Sequence, residues 1–184
     1  MIIIKIIIFL IIFIIYFYRN PKICSNKNLL INNYIVSPSF GTVMDIIDNI
    51  DNYHICIFLS PVDVHIQYFP TSGYISNIIY DDVGKYELAY KVNKSKYNEK
   101  CIHTLNTKYG DIIVYQIAGF FVRNIQHYKK IGDSFNISQK LGMINFGSRV
   151  DIILPKISNY GVCKLMINKN NYLKGGTTKI AQYV

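Results

Sequence analysis

From Ile35 onward the chain is cut into short runs of β-branched and aromatic residues, each closed by turn residues. Runs of this length without a helical period restrict the region to strands. We expect strands at Tyr34–Val36, Thr42–Ile47, His54–Leu59, Gly73–Ile79, Cys101–Thr107, Asp111–Phe121, Gly142–Phe146, Arg149–Leu154 and Gly161–Ile167. Tyr109-Gly110-Asp111 marks a hairpin turn, and Lys174-Gly175-Gly176-Thr177 marks another near the C-terminus. The expected fold is mainly β, one domain over residues 19–184, with one or two short helices. With 184 residues, 51% of them hydrophobic, the chain is large enough to bury a real core.

The N-terminus is different. Ile2 to Tyr18 reads IIIKIIIFLIIFIIYFY, with Lys5 its single charge. Roughly 17 residues of this kind approach the minimum for crossing a bilayer. Tyr16, Phe17 and Tyr18 sit like an interfacial aromatic belt. Residues 1–18 are therefore expected to form an uncleaved transmembrane anchor ahead of the β domain. A removable signal peptide is the rival reading, but Arg19-Asn20-Pro21 offers no small-residue cleavage site. Arg19, Lys22 and Lys27 follow the span and only Lys5 and the amino terminus precede it. The positive-inside rule then puts the domain on the cytosolic side of the membrane.

The net charge of +9 suits a nucleic acid or an anionic membrane. Its lysines are spread over loops, without an Arg-rich helix or a nucleic-acid motif, so no nucleic-acid partner is expected. Cys24, Cys56, Cys101 and Cys163 have neither metal-ligand nor redox spacing and read as free thiols, and no metal is expected.

Several stretches, in order, carry a resemblance. They are Tyr16-Phe17-Tyr18-Arg19-Asn20-Pro21, Ser37-Pro38-Ser39-Phe40-Gly41-Thr42-Val43, and Leu59-Ser60-Pro61-Val62-Asp63-Val64-His65. Pro70-Thr71-Ser72-Gly73, Asn98-Glu99-Lys100, Gln116-Ile117-Ala118-Gly119 and Val122-Arg123-Asn124-Ile125 follow. The strongest is LGMINFGSRVDIILP, Leu141 to Pro155, and Lys174-Gly175-Gly176-Thr177 ends the series. Together they resemble the phosphatidylserine decarboxylase proenzymes, especially the short bacterial and archaeal type.

The resemblance implies a chemistry. Decarboxylation of an α-amino acid needs an electron sink conjugated to the amine. In this family the sink is a pyruvoyl ketone made from a serine of the chain, so no pyridoxal phosphate is required. Here that serine would be Ser148. Its hydroxyl would attack the carbonyl of Gly147, exchanging an amide for an ester, and elimination and hydrolysis would leave the pyruvoyl group. The chain would then part between 147 and 148, giving a 147-residue chain and one of 184 − 147 = 37 residues that stay associated. His65 is the candidate acid/base. Asp63 would share its strand face and could orient the ring, a capping or turn role being the alternative. His54, His103 and His127 read as ordinary core or surface residues. Gln116, Arg123 and Arg149 are candidate substrate-binding residues, the arginines as partners of a lipid phosphate. Lys91, Lys94, Lys96 and Lys100 could meet anionic headgroups or form a solvated loop.

Two positions depart from the family pattern. Phe40 stands where the family has an aspartate that helps activate the serine, and Tyr68 where some members have a second histidine. Asp63 or Asp45 could substitute, cleavage could be slow, or the chain could be a degenerate proenzyme. Three functions follow: conversion of phosphatidylserine to phosphatidylethanolamine, non-catalytic binding of membrane lipid, or decarboxylation of another serine-headgroup lipid or small amino acid.

Overall fold

The computed structural model describes residues 1–23, 27–82, 84, 88, 95, 97–119, 124–145 and 148–184. Two helices open the chain, α1 (Ile2–Phe17) and α2 (Lys27–Ile31). The strands are β1 (Tyr34–Val36), β2 (Gly41–Asp48), β3 (Asn52–Leu59), β4 (Ile66–Tyr68), β5 (Gly73–Asp81), β6 (Lys100–Thr107), β7 (Gly110–Ile117) and β8 (Ile125–His127). They continue with β9 (Ser134–Phe135), β10 (Lys140–Ile144), β11 (Ser148–Pro155), β12 (Ile157–Ser158), β13 (Gly161–Leu165), β14 (Tyr172–Leu173) and β15 (Lys179–Tyr183). Over the described residues the chain is mainly β, with the two short helices α1 and α2.

The largest sheet runs β14-β2-β3-β11-β7-β6-β5-β9, a second runs β4-β10-β8, and a third β1-β15-β13-β12. Every pairing is antiparallel. Consecutive strands form hairpins where the turn chemistry allows. Gly110, at φ 94°, takes the left-handed conformation that turns β6 into β7, and Thr107 pairs with it. At Lys174-Gly175-Gly176-Thr177 the Thr177 and Thr178 amides donate to the Lys174 carbonyl.

β11 lies between β3 and β7. Val150, Ile152 and Leu154 point from one face into the main core with Ile55, Ile57, Leu105, Ile112 and Val114. Its other face carries Arg149 and Asp151, also buried. The strand is therefore covered on both faces, by apolar core on one side and by the Arg149–Asp151 pair on the other.

The expected N-terminal anchor differs in extent. α1 covers 16 residues, about 24 Å at ~1.5 Å per residue, against a hydrocarbon core of about 30 Å. No helix among the described residues is long and apolar enough to cross a membrane. The reason is at the end of the helix. Phe17 is fully buried against Val64, Ile66, Tyr68 and Met143, so the last turn belongs to the β domain. Most of the remainder, from Ile2 to Tyr16, is exposed and apolar.

Gly142, on β10 of the three-stranded sheet, packs tightly against β8 and against Gln116 of the large sheet. A Cβ there would lie 2.1 Å from the Gln126 carbonyl oxygen and 2.8 Å from Gln116 Nε2. Gly142→Ala should lower unfolding free energy by about 1–3 kcal/mol in urea titration. A loss within about 0.5 kcal/mol, the range of neutral surface changes, would contradict this packing.

Candidate active site

Two connections link the large sheet and the three-stranded sheet. Residues 60–65 join β3 to β4, and residues 145–147 join β10 to β11. They are pinned at both ends. Ser148 is the ladder partner of Leu59, and the Ile144 amide donates to the His65 carbonyl at 3.2 Å. Ser148 and His65 thus border the same crossing, and both are fully buried. Gly147 lies outside the described residues.

A hydrogen-bonded turn shapes the first connection. The Ser60 amide and hydroxyl both donate to Asp63 Oδ2 at 2.8 Å, and the Asp63 amide donates to the Ser60 carbonyl. Tyr172 donates to Asp63 Oδ1 at 2.7 Å. The Asp63 carboxylate therefore holds the loop and does not touch the imidazole. Its backbone does: His65 Nδ1 lies 3.0 Å from the Asp63 carbonyl oxygen. A carbonyl only accepts, so Nδ1 carries the hydrogen and Nε2 of the neutral ring keeps its lone pair.

That lone pair is dry. The Phe17 ring lies over His65 with centroids 4.3 Å apart. Burial lowers the His65 pKa to about 4, against the opposing pull of the Asp63 carbonyl. His65 Nε2, Ser148 Oγ and Asn145 Oδ1 are all buried without a hydrogen-bond partner among the described residues. Ser148 and His65 do not bond each other in this state. Buried polar atoms are nearly always satisfied, so three on adjoining connections point to a prepared reaction site rather than to packing.

The other expected site residues are distributed differently. Gln116 accepts from or donates to neighbours inside the core, with His103 Nε2 2.8 Å from its Oε1 and its Nε2 donating to Gln67 Oε1 at 2.8 Å. Gln67 in turn donates to the His65 carbonyl at 2.7 Å. Gln116 thus supports the histidine backbone from behind. Burial also lowers the His103 pKa to about 4. Arg149 is buried and faces away from solvent. It grips Asp151 through Nε and Nη2 and donates from Nη1 to Ser95. His54 Nε2 sits 2.8 Å from the same carboxylate. Burial alone would raise the Asp151 pKa, but the His54 and Arg149 bonds hold it below the usual value. Arg149 therefore anchors β11 next to Ser148 instead of reaching for a ligand.

His54, Cys56 and Asp151 bring three donor atoms within 4.8 Å of one another. Arg149 already neutralises that carboxylate, and burial followed by Asp151 pushes the Cys56 thiol up to about 12. This set is a charged strut beneath β11. Arg123, Lys91, Lys94, Lys96 and Cys24 lie outside the described residues. Lys100 pairs with Asp81 at 3.2 Å. Asp45 is half-buried and faces Lys169 at 3.4 Å.

The two departures meet. Phe40 and Tyr68 pack with ring centroids 6.3 Å apart, in the cluster that holds Phe17. An aromatic pair fills both positions, leaving His65 as the imidazole on this crossing. Sequence reasoning missed Asn145, Ser60, Tyr172, Gln67 and Phe17 as site residues. The Ser60–Asp63 spacing carries a turn signal; nothing local announces Tyr172.

The fold is a β framework with a buried, unpaired serine at the head of a central strand. A family model described as phosphatidylserine decarboxylase matches residues 10–181. A proenzyme of Methanosarcina acetivorans, provisionally named an archaetidylserine decarboxylase, is 40% identical over 83% of this chain and 69% of its own. The phosphatidylserine decarboxylase proenzymes of Carboxydothermus hydrogenoformans and Amoebophilus asiaticus are each 33% identical. They match 94% and 92% of this chain and 81% and 75% of their own. The chain belongs to the phosphatidylserine decarboxylase family, a family of decarboxylating lyases.

Tyr172→Phe should cost about 1–3 kcal/mol in urea titration, because it withdraws one of the donors to a nearly buried carboxylate. An unchanged midpoint would contradict the tie. The histidines set a pH response. Their folded pKa values lie near 4 and their unfolded value near 6.5, so the unfolded chain takes up protons first as pH falls. Stability is fully present above pH 6.5 and should fall toward pH 4. His65→Phe should flatten this slope between those limits; an unaltered slope would contradict the assignment.

Proposed function

We propose that this protein decarboxylates phosphatidylserine to phosphatidylethanolamine at a pyruvoyl group formed from Ser148. The observation that carries the reading is the pair of buried, unpaired atoms, Ser148 Oγ and a His65 Nε2 whose lone pair is fixed by tautomer.

Maturation is an internal reaction of the chain. His65 Nε2 takes the proton of Ser148 as Oγ attacks the Gly147 carbonyl, and the peptide bond becomes an ester. Removal of the Ser148 α-proton expels the Gly147 carboxylate and leaves dehydroalanine at 148, and water then releases ammonia. Burial serves this step, since an imidazole with its pKa near 4 remains unprotonated at neutral pH. Fragments 1–147 and 148–184 stay joined by β11 between β3 and β7, by β15 on β1, and by Tyr172 on Asp63. The position suits a pyruvoyl group, being fully buried at the crossing that also holds His65. When present, that group supplies the electron sink for loss of carbon dioxide.

The residues around it do the rest. Asp63 and Ser60 hold the His65 loop, and Gln67 and Gln116 hold its carbonyl. A substrate carboxylate beside the ring raises the His65 pKa, so the same imidazole returns a proton to the substrate carbon. Arg123 is a candidate partner of the headgroup phosphate. The exposed apolar part of α1 attaches the domain to the membrane, on the cytosolic side, as a single N-terminal anchor; a helix of this length would need local thinning of the bilayer to span it.

Phe40 favours a second reading, in which the chain no longer matures and binds membrane lipid without turnover. A relative named for archaetidylserine keeps a third open, with another serine-headgroup lipid as substrate.

The purified full chain should form phosphatidylethanolamine from phosphatidylserine vesicles, and Ser148→Ala and His65→Ala should each abolish it. Product from Ser148→Ala, or none from the unmodified chain, would overturn the proposal. Phe40→Asp should speed self-cleavage by at least about tenfold, as a positioning carboxylate does elsewhere. If only Phe40→Asp is cut, the non-catalytic reading is correct.

A further inference from the structure

An open pocket of about 770 Å³ lies at the foot of α1, lined in part by Asn20, Lys22, Tyr68, Tyr128, Lys129 and Lys140. No carboxylate lines it. Lys22 and Lys140 have no ion pair or hydrogen bond among the described residues, and Lys129 donates only to the Ser134 carbonyl there. Three lysines thus line one pocket without a carboxylate among them, and an anion there would supply the counter-charge.

A second observation points the same way. Tyr68 is 1% exposed, and its hydroxyl is buried without a partner. Lys140 is its ladder partner across β4 and β10, so both side chains rise on one face into the pocket. A buried hydroxyl donor beside free ammonium groups is an oxyanion site lacking its oxyanion.

The location chooses the source. Asn20 to Ile23 follow directly on α1, whose exposed apolar surface seeks the bilayer. The pocket mouth therefore stands at headgroup level. Tyr68 forms its inner wall and also packs in the cluster with Phe17, the ring that covers His65. The pocket and the reaction site share that partition.

We propose that this pocket binds the phosphodiester of an anionic phospholipid, held by Lys22, Lys129, Lys140 and the Tyr68 hydroxyl. In its role as the subsite for the substrate's own phosphate, the proposal rests on the decarboxylase reading above. In place of Arg123, and of Arg149, which is spent on Asp151, the phosphate contact falls to the lysines of this pocket. Tyr68 then has a use that a histidine at its position would not serve in the same way: a neutral donor that adds no charge to a crowded cationic wall.

The test separates the two readings. Short-chain phosphatidylglycerol, an anionic lipid without a serine to decarboxylate, is titrated calorimetrically into the full chain, with inorganic phosphate as a second arm. Lys129→Gln/Lys140→Gln should weaken lipid binding by at least about tenfold, while Lys164→Gln/Lys179→Gln, an equal charge change outside the lining, should leave it unchanged. Tyr68→Phe should also weaken binding without lowering the thermal midpoint, since it removes a hydroxyl with no structural bond. In the decarboxylation assay the Lys129/Lys140 pair should raise KM and spare kcat. Equal loss from both lysine pairs would show general charge attraction and overturn the site. Phosphate binding as tight as the lipid would overturn the lipid assignment. Normal lipid binding by a chain that forms no phosphatidylethanolamine would sink the decarboxylase reading and leave this pocket standing.

Discussion

The site depends on one constraint: the two connections that leave the large sheet for the small one are fastened at both ends. The Leu59–Ser148 pairing fastens one end, and the bond between the His65 carbonyl and the Ile144 amide fastens the other. Residues 89 positions apart along the chain are thereby brought to one buried crossing, the separation being 148 − 59. Neither connection could hold this shape alone. An isolated segment ending at a Gly-Ser bond has no reason to be dry, and a histidine loop by itself has no reason to choose a tautomer. The β11 ladder supplies rigidity to the serine, and the Ser60–Asp63 turn supplies it to the ring.

Burial then sets the chemistry. In water, His65 would titrate near 6.5 and would be partly protonated. Beneath Phe17 it stays neutral, with the hydrogen on Nδ1 and the lone pair on Nε2. The cost is a set of buried polar atoms without partners, which a protein selected for stability alone would avoid. The Phe40–Tyr68 pair adds to the dryness. A backbone carbonyl thus sets the His65 tautomer, and desolvation keeps the ring unprotonated.

Much of the fold was legible because β-branched runs between turn residues allow little else. β1 was read with its observed limits, and β3, β6, β11 and β13 within a few residues. The two- and three-residue strands β4, β8, β9, β12 and β14 were missed, since so short a run carries no period. β15 was missed because its Ala and Gln dilute the strand signal. Ser148, His65 and Asp63 were singled out through their local blocks, and the strand pairing brings Ser148 and His65 to one crossing. The partners of Asp63 were not: alternation along a strand suggested an imidazole, whereas the residues form a turn and Tyr172 arrives from 109 positions away. Arg149 looked like a ligand-binding arginine because its partner Asp151 is two residues on, where only a strand brings them to one face. α1 read as a spanning helix because composition cannot reveal that Phe17 docks on the domain.

The most direct measurement is the intact mass of the purified, unmodified full chain. The account predicts two species, residues 1–147 and residues 148–184, the smaller one beginning with a pyruvoyl group in place of serine. A single uncut chain of 21.3 kDa, after incubation at neutral pH, would contradict it.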